Sequence, residues 1–163
     1  MISKNVKETE KIAKMFLAEI LTPVVEQSSL RGKKDSKRGA TVVCLSGDLG
    51  AGKTAFTQAV AKHLGVKDKI KSPTFVIFKK YPLPLRRGSA QRARGCRFLF
   101  HFDAYRLKNE KELLHLGWEE IIGNKEHIVF IEWPENVSKV IPADARHVYI
   151  SHKENGGRIL ELK

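Results

Sequence analysis

Eight consecutive residues, Gly47-Asp48-Leu49-Gly50-Ala51-Gly52-Lys53-Thr54, satisfy the pattern G-x-x-x-x-G-K-[ST] at every defined position. Each defined type answers a need of phosphate chemistry. Glycines at 47, 50 and 52 let the backbone wrap a phosphate chain with successive N–H groups pointing inward, and a helix opening at the end of the loop adds the partial positive charge of its N-terminus. Lys53 would reach the β- and γ-phosphates, and the Thr54 hydroxyl would bind Mg²⁺. A glycine-rich turn without a ligand is the competing reading. It leaves the Lys-Thr pair and its place between a strand and a helix unexplained.

Phosphoryl transfer also needs an acid near the metal, usually at the end of a buried strand. Two runs end in one: Phe98-Leu99-Phe100-His101-Phe102-Asp103 and Ile128-Val129-Phe130-Ile131-Glu132. Spacing does not choose between Asp103 and Glu132, and either acid could instead cap a turn. A guanine-specific site is a poorer match. Gly123-Asn124-Lys125-Glu126 resembles a base-reading Asn-Lys-x-Asp only superficially: it ends in Glu and precedes a strand where that motif follows one. Asp103 also lacks the Asp-x-x-Gly context, because Arg106 stands where the glycine would be. ATP is therefore the expected nucleotide.

These residues need a frame. Asn5 with Glu8 three positions on suggests a helix cap, and Ile12, Phe16, Leu17, Ile20 and Leu21 follow at helical spacing, which predicts an amphipathic helix over 6–21. Thr41 to Ser46 is a continuous β-prone run, as expected of a strand buried on both faces. Ala55, Ala59, Val60 and Leu64 form the stripe of a second helix stopping at Gly65. Phe75 to Tyr81 and Arg97 to Asp103 read as strands joined by a basic, proline-broken insertion. Glu110 to Leu116 reads as a short helix and Ile128 to Trp133 as another buried strand. His147 to Ser151 and Arg158 to Leu162 form a terminal hairpin turning at Asn155-Gly156-Gly157. No internal repeat is visible.

At 163 residues, with 42% hydrophobic residues, the chain is expected to form one domain over 1–163 with an adequate core. No apolar run reaches the roughly 18 residues that span a bilayer. Cys44 and Cys96 have neither zinc-site nor disulfide-scaffold spacing, so a cytoplasmic location without a membrane is expected. The formal charge of +12 is concentrated in two segments: residues 31–38 carry net +4 and 79–97 net +7. The basicity thus belongs to two loops, about 27–39 and 82–96, on a nearly neutral body.

Gly47 to Thr54, Ser72-Pro73-Thr74-Phe75, His101-x-Asp103-x-Tyr105-Arg106-Leu107 and Ile131-Glu132-Trp133-Pro134-Glu135, in that order, resemble the TsaE family of small P-loop ATPases, from about residue 6 to the end. The resemblance implies an α/β P-loop fold, mostly parallel with added antiparallel strands and hairpins. It also implies a Mg²⁺-dependent ATPase required for threonylcarbamoyladenosine formation next to the anticodon of tRNA. The implied partners are the transferase subunit and its inactive paralogue, TsaD and TsaB, whose complex ATP hydrolysis would reset. Position by position, Gly50, Ala51, Gly52, Lys53, Thr54 and Ala55 would wrap the phosphates, with Thr54 and Glu132 holding Mg²⁺. Thr74 would sense the γ-phosphate from a switch-like loop, Asp103 would support the metal or orient water, and Trp133 would lie beside the site. Thr9 and Arg158 match positions that contact nucleotide. His101 alternates with apolar residues and reads equally as a core histidine, and Tyr105 and Arg106 as surface packing. Trp118 is given no functional role, and Glu119 and Glu120 read as a solvated face.

No side chain stands out as a self-sufficient base, which implies slow intrinsic hydrolysis accelerated by partners. The basic loops are longer and more charged than the resemblance leads one to expect. They could meet tRNA phosphates, although few aromatic residues accompany them, or form a solvated insertion. A small-molecule kinase and an ATP-dependent nucleic-acid-binding module are the alternative functions. The kinase would want a lid and an acceptor site, neither of which is evident.

Overall fold

The structure, a computed structural model, describes residues 1–21, 39–84, 97–154 and 156–163. The 31–38 basic run, residues 85–96 of the second basic loop, Cys96 and Asn155 lie outside the described residues.

The elements run β1 (Ile2–Ser3), α1 (Val6–Leu21), β2 (Thr41–Ser46), α2 (Lys53–His63), β3 (Phe78–Pro82), β4 (Phe98–Asp103), α3 (Glu110–Leu114), α4 (Trp118–Gly123), β5 (Ile128–Glu132), a 3-10 helix (Pro134–Val140), β6 (Arg146–His152) and β7 (Arg158–Leu162). Seven strands form one sheet in the order β1-β7-β6-β2-β5-β4-β3. Its centre is parallel, with β6, β2, β5 and β4 aligned; β3 closes one side antiparallel, and β7 followed by β1 closes the other. This is the expected α/β architecture with antiparallel additions.

Strand parity divides the core. On β2, Val43 and Leu45 face α1 and α2, where they meet Phe16, Phe56 and Val60. Val42 and Cys44 face the opposite layer, with Phe100, Phe102, Leu113, Trp118 and Val137. Both faces of β2 are therefore dry, which accounts for its unbroken apolar sequence. β5 follows the same rule: Ile128 and Phe130 point one way, Val129 and Ile131 the other. By alternation Glu132 falls on the α2 side, and its registered neighbour Asp103 ends β4 beside it.

α1 starts where the cap predicts. Asn5 Oδ1 accepts from the Glu8 N–H at 3.0 Å, and the Glu8 carboxylate accepts from the Lys4 N–H at 2.6 Å. Its apolar stripe, Ile12, Ala13, Phe16 and Leu17, is buried, and the Phe16 ring packs on Phe56 with centroids 5.6 Å apart.

The strand expected from Phe75 begins only at Phe78. Pro73 O accepts from the Val76 N–H at 2.8 Å to close a turn, and Val76 O accepts from the Phe78 N–H at 2.7 Å around Ile77, whose φ is +64°. This double turn throws Phe75 outward, 84% exposed. The helix expected over Glu110 to Leu116 stops at Leu114, and the strand expected through Trp133 ends at Glu132. β1, α4 and the 3-10 helix are additions to the expected elements. Trp118 is a packing residue: fully buried, it donates its indole N–H to Val140 O at 2.9 Å. Glu119 and Glu120 are exposed. Among the described residues no helix is long and apolar enough to cross a membrane.

Candidate functional site

The Gly47–Thr54 segment links the end of β2 to the start of α2, so the loop lies at the carboxyl end of the parallel strands. Gly47, Gly50 and Gly52 all have positive φ, +142°, +79° and +111°. Gly52 is the residue preceding α2, and a Cβ there would come within 2.9 Å of Arg158 Nε. Glycine at 52 thus admits both the backbone conformation and the arginine. Arg158 in turn donates from Nε to Ala51 O at 2.7 Å, tying the first residue of β7 to the loop.

Lys53 is 4% exposed and turns back on the loop, its Nζ donating to Gly47 O at 2.6 Å and Asp48 O at 3.0 Å. The ammonium also lies 4.0 Å from the centroid of the Trp133 ring. Burial lowers its pKa below the ordinary lysine value, opposed by the charges of Glu132, Asp103, Glu135 and Asp48. Trp133 takes this position through a left-handed backbone, φ +58°, directly after β5, with its N–H donated to Leu45 O at 3.2 Å. Tyr105 packs against the same indole, its ring centroid 5.1 Å from that of Trp133.

The two candidate acids have different partners. Glu132 Oε1 accepts from Thr54 Oγ1 at 2.8 Å, joining the end of β5 to the first turn of α2. The same oxygen lies 2.8 Å from His101 Nε2. Asp103 instead holds the segment before β3: its Oδ2 accepts from Thr74 Oγ1 and, at 3.2 Å, from Ser72 Oγ, while Oδ1 accepts from the Tyr105 N–H at 3.0 Å. Both carboxylates are 4% exposed, so these donors offset much of the cost of burying charge.

Among the described residues no group of three or more His, Cys, Asp or Glu side chains is arranged to hold a metal unaided. Magnesium does not require one, since it is usually held by one or two carboxylates together with water and substrate phosphates. A hydroxyl beside a buried carboxylate at the mouth of the loop, here Thr54 and Glu132, is an oxygen donor set that could hold it.

On the far side of α2 lies a cavity of about 250 Å³ whose walls include Thr9, Gly52, Ala55, Phe56, Ile150 and Arg158. Thr9 of α1, Ala55 of α2 and Arg158 of β7 are thereby gathered around one space adjoining the loop. Thr9 Oγ1 is within 2.7 Å of Ser3 Oγ. The sequence reading left two site neighbours without a role. Ser72 carries no role within its motif and His101 reads equally as a core histidine; strand alternation, which places His101 on the face of Asp103, is the available signal.

Leu49, Phe75, Val76 and Tyr105, on the segments framing the site, are 78%, 84%, 56% and 51% exposed. The Arg106 guanidinium covers one face of Phe75 at 4.6 Å from the ring centroid.

A family model described as threonylcarbamoyl adenosine biosynthesis protein TsaE matches residues 3–160. Proteins named tRNA threonylcarbamoyladenosine biosynthesis protein TsaE are similar along most of the chain. The one from Rickettsia felis is 33% identical over 164 residues, covering 99% of this chain and 78% of that protein. The one from Nostoc sp. is 32% identical over 158 residues, covering 94% and 86%. The crystal structure of YdiB from Bacillus superposes with a TM-score of 0.66 at 25% identity, covering 99% of this chain and 82% of that one. With the loop, the paired strand-end acids and this likeness along nearly its whole length, the chain belongs to the TsaE family.

Proposed function

We propose that this chain is a Mg²⁺-dependent ATPase, one domain over 1–163, that supports threonylcarbamoyladenosine modification of tRNA in the cytoplasm. In this reading it acts on the complex of the transferase subunit TsaD and its inactive paralogue TsaB, and hydrolysis resets that complex between turnovers. One observation carries the ATPase assignment: the Thr54 hydroxyl meets the buried Glu132 carboxylate at 2.8 Å, at the head of a strand-loop-helix phosphate cradle.

The N–H groups of Gly50 to Ala55 bind the phosphates and the α2 N-terminus adds its dipole. Lys53 leaves the Gly47 and Asp48 carbonyls to pair with phosphate oxygens. Thr54 and Glu132 would hold magnesium, which when bound would supply neutralisation of the developing phosphate charge. Asp103 orients water or supports the metal's shell, and Thr74, already on Asp103, exchanges that bond for a γ-phosphate contact. The cavity walled by Thr9, Ala55 and Arg158 receives the nucleoside, and Trp133 screens the lysine from solvent. The exposed Leu49, Phe75, Val76 and Tyr105 supply a partner surface that moves with the nucleotide-sensing segment. In this reading any tRNA contact falls to the two basic loops, of which residues 31–38 and 85–96 lie outside the described residues.

The test is phosphate release from ATP by the purified protein, alone and with TsaD, TsaB and tRNA, beside Lys53→Ala and Glu132→Ala. Low activity raised by the partners and lost in both variants is expected. Nucleotide binding without hydrolysis under every condition would leave a binding module in its place.

A further inference from the structure

His101 is the most completely buried polar residue of the site, with no exposed surface, and only one of its ring nitrogens has a partner. Nε2 lies 2.8 Å from Glu132 Oε1, while Nδ1 has no hydrogen-bond partner among the described residues. A buried polar atom left unpaired is costly and demands a reason. Packing does not supply one, since on the same face of β4, two positions earlier, Leu99 fills the equivalent place without any polar atom.

The reason lies in the arrangement around Glu132. Thr54 Oγ1 and His101 Nε2 both reach Oε1, and Oε2 has no hydrogen bond among the described residues. A carboxylate only accepts, so the histidine donates from Nε2–H. The two donors differ in permanence. In the function proposed above the Thr54 hydroxyl turns to the metal, and its bond to Glu132 is given up. The His101 bond crosses between registered parallel strands, β4 and β5, whose backbone pairing does not depend on ligand.

We infer that His101 is a positioning residue, which holds the Glu132 carboxylate by Oε1 and keeps it aligned for Mg²⁺ when Thr54 lets go. This inference rests on the ATPase reading for its purpose, but its effect is on the carboxylate. Removing the donor frees a buried, charged side chain to change rotamer, and loss of such an outer partner typically weakens metal affinity or activity by about 10–100-fold. The unpaired Nδ1 is the accompanying cost of placing Nε2 at Glu132.

The experiment compares wild type, His101→Leu and His101→Gln. Leucine keeps the apolar volume and removes the donor, whereas glutamine can return an N–H near the position of Nε2. Three quantities are measured: the melting temperature without nucleotide, the affinity for a fluorescent ADP in EDTA and in titrated Mg²⁺, and kcat with KM for ATP. The expected result for His101→Leu is an unchanged EDTA affinity, a Mg²⁺ requirement raised about 10–100-fold, and a fall in kcat with little change in KM. His101→Gln should recover most of both.

A His101→Leu protein with wild-type Mg²⁺ requirement and kcat would reduce His101 to packing and overturn the inference. If that variant fails to fold, His101→Asn replaces it, its shorter amide withdrawing the donor from Glu132: a raised Mg²⁺ requirement at unchanged EDTA affinity supports the inference, and a wild-type requirement overturns it. A wild type that hydrolyses no ATP refutes the ATPase reading alone, because the Mg²⁺ dependence of ADP binding still reports on His101. A wild type whose ADP binding and kcat both ignore Mg²⁺ overturns the inference together with the metal assignment on which it rests.

Discussion

Gly47 and Gly50 sit in one loop, both at positive φ, yet their surroundings differ in a way that turnover cannot distinguish and stability can. A Cβ built on Gly50 meets nothing within 4 Å, whereas one on Gly47 falls 2.0 Å from Ile150 O and 3.1 Å from Ile150 C. Gly50→Ala therefore bears only the left-handed penalty, roughly 1–2 kcal/mol. Gly47→Ala bears that penalty and a collision with a backbone carbonyl of β6, which no side-chain rotation relieves. Forcing the loop and β6 apart adds about 1–3 kcal/mol, giving about 2–5 kcal/mol in all. Against a typical total of about 5–15 kcal/mol, this is a large loss. With a urea slope near 2 kcal/mol/M, the midpoint should fall by about 1–2.5 M for Gly47→Ala and about 0.5–1 M for Gly50→Ala. Urea unfolding followed by circular dichroism measures both. Coincident midpoints would refute the claim that the close approach of β6, rather than φ alone, demands glycine at 47.

Lys53→Met should weaken ATP binding about 10- to 100-fold through loss of charge-assisted contacts, read by calorimetric titration. Because burial lowers the lysine pKa, the unfolded chain binds that proton more tightly than the folded one. Wild-type stability therefore rises relative to Lys53→Met as pH climbs from the folded pKa toward the ordinary lysine value, and melting curves from pH 7 to 10 reveal any opposite trend. Phe75→Asp should leave basal phosphate release unchanged and lower the increment produced by TsaD and TsaB at least about tenfold, as loss of a buried aromatic anchor does; an unaltered increment excludes Phe75 from the partner surface. Burial, reinforced by the Glu135 charge, pushes the Cys44 thiol up to about 12. In a Cys96→Ser background Cys44 should resist a thiol reagent at pH 8 and react only after denaturation; rapid native labelling would contradict the two-sided burial of β2.

The framework of the site was legible because its signals are local. Asn5 and Glu8 mark the start of α1, β2 is an apolar run, and Gly47 to Thr54 defines the turn between β2 and α2. Two apolar runs each ending in an acid point to Asp103 and Glu132, while their register side by side comes from the pairing of β4 with β5. Less legible were features set by tertiary contacts. Phe75-Val76-Ile77-Phe78 has the composition of a strand, but Pro73 and the hydroxyl bonds to Asp103 bend it, so pairing waits until Phe78. The left-handed Trp133 is invisible in sequence because its conformation follows from the Leu45 bond and the Lys53 contact. Thr9 and Arg158 lie at opposite ends of the chain, and no spacing rule joins them; resemblance named them, and β7 brings them to one cavity. The division of labour between the acids likewise depends on donors from three separate segments.

The folded-back Lys53 makes the protein its own competitor. Two loop carbonyls and an indole face already satisfy the ammonium, so a phosphate must displace internal ligands before it gains the charge. Measured affinity is then the intrinsic affinity multiplied by the fraction of molecules with the lysine released. The same internal ligands would compete for the lysine again as phosphate contacts are lost. In the proposed function the loop thus holds a return position for Lys53 within its own backbone.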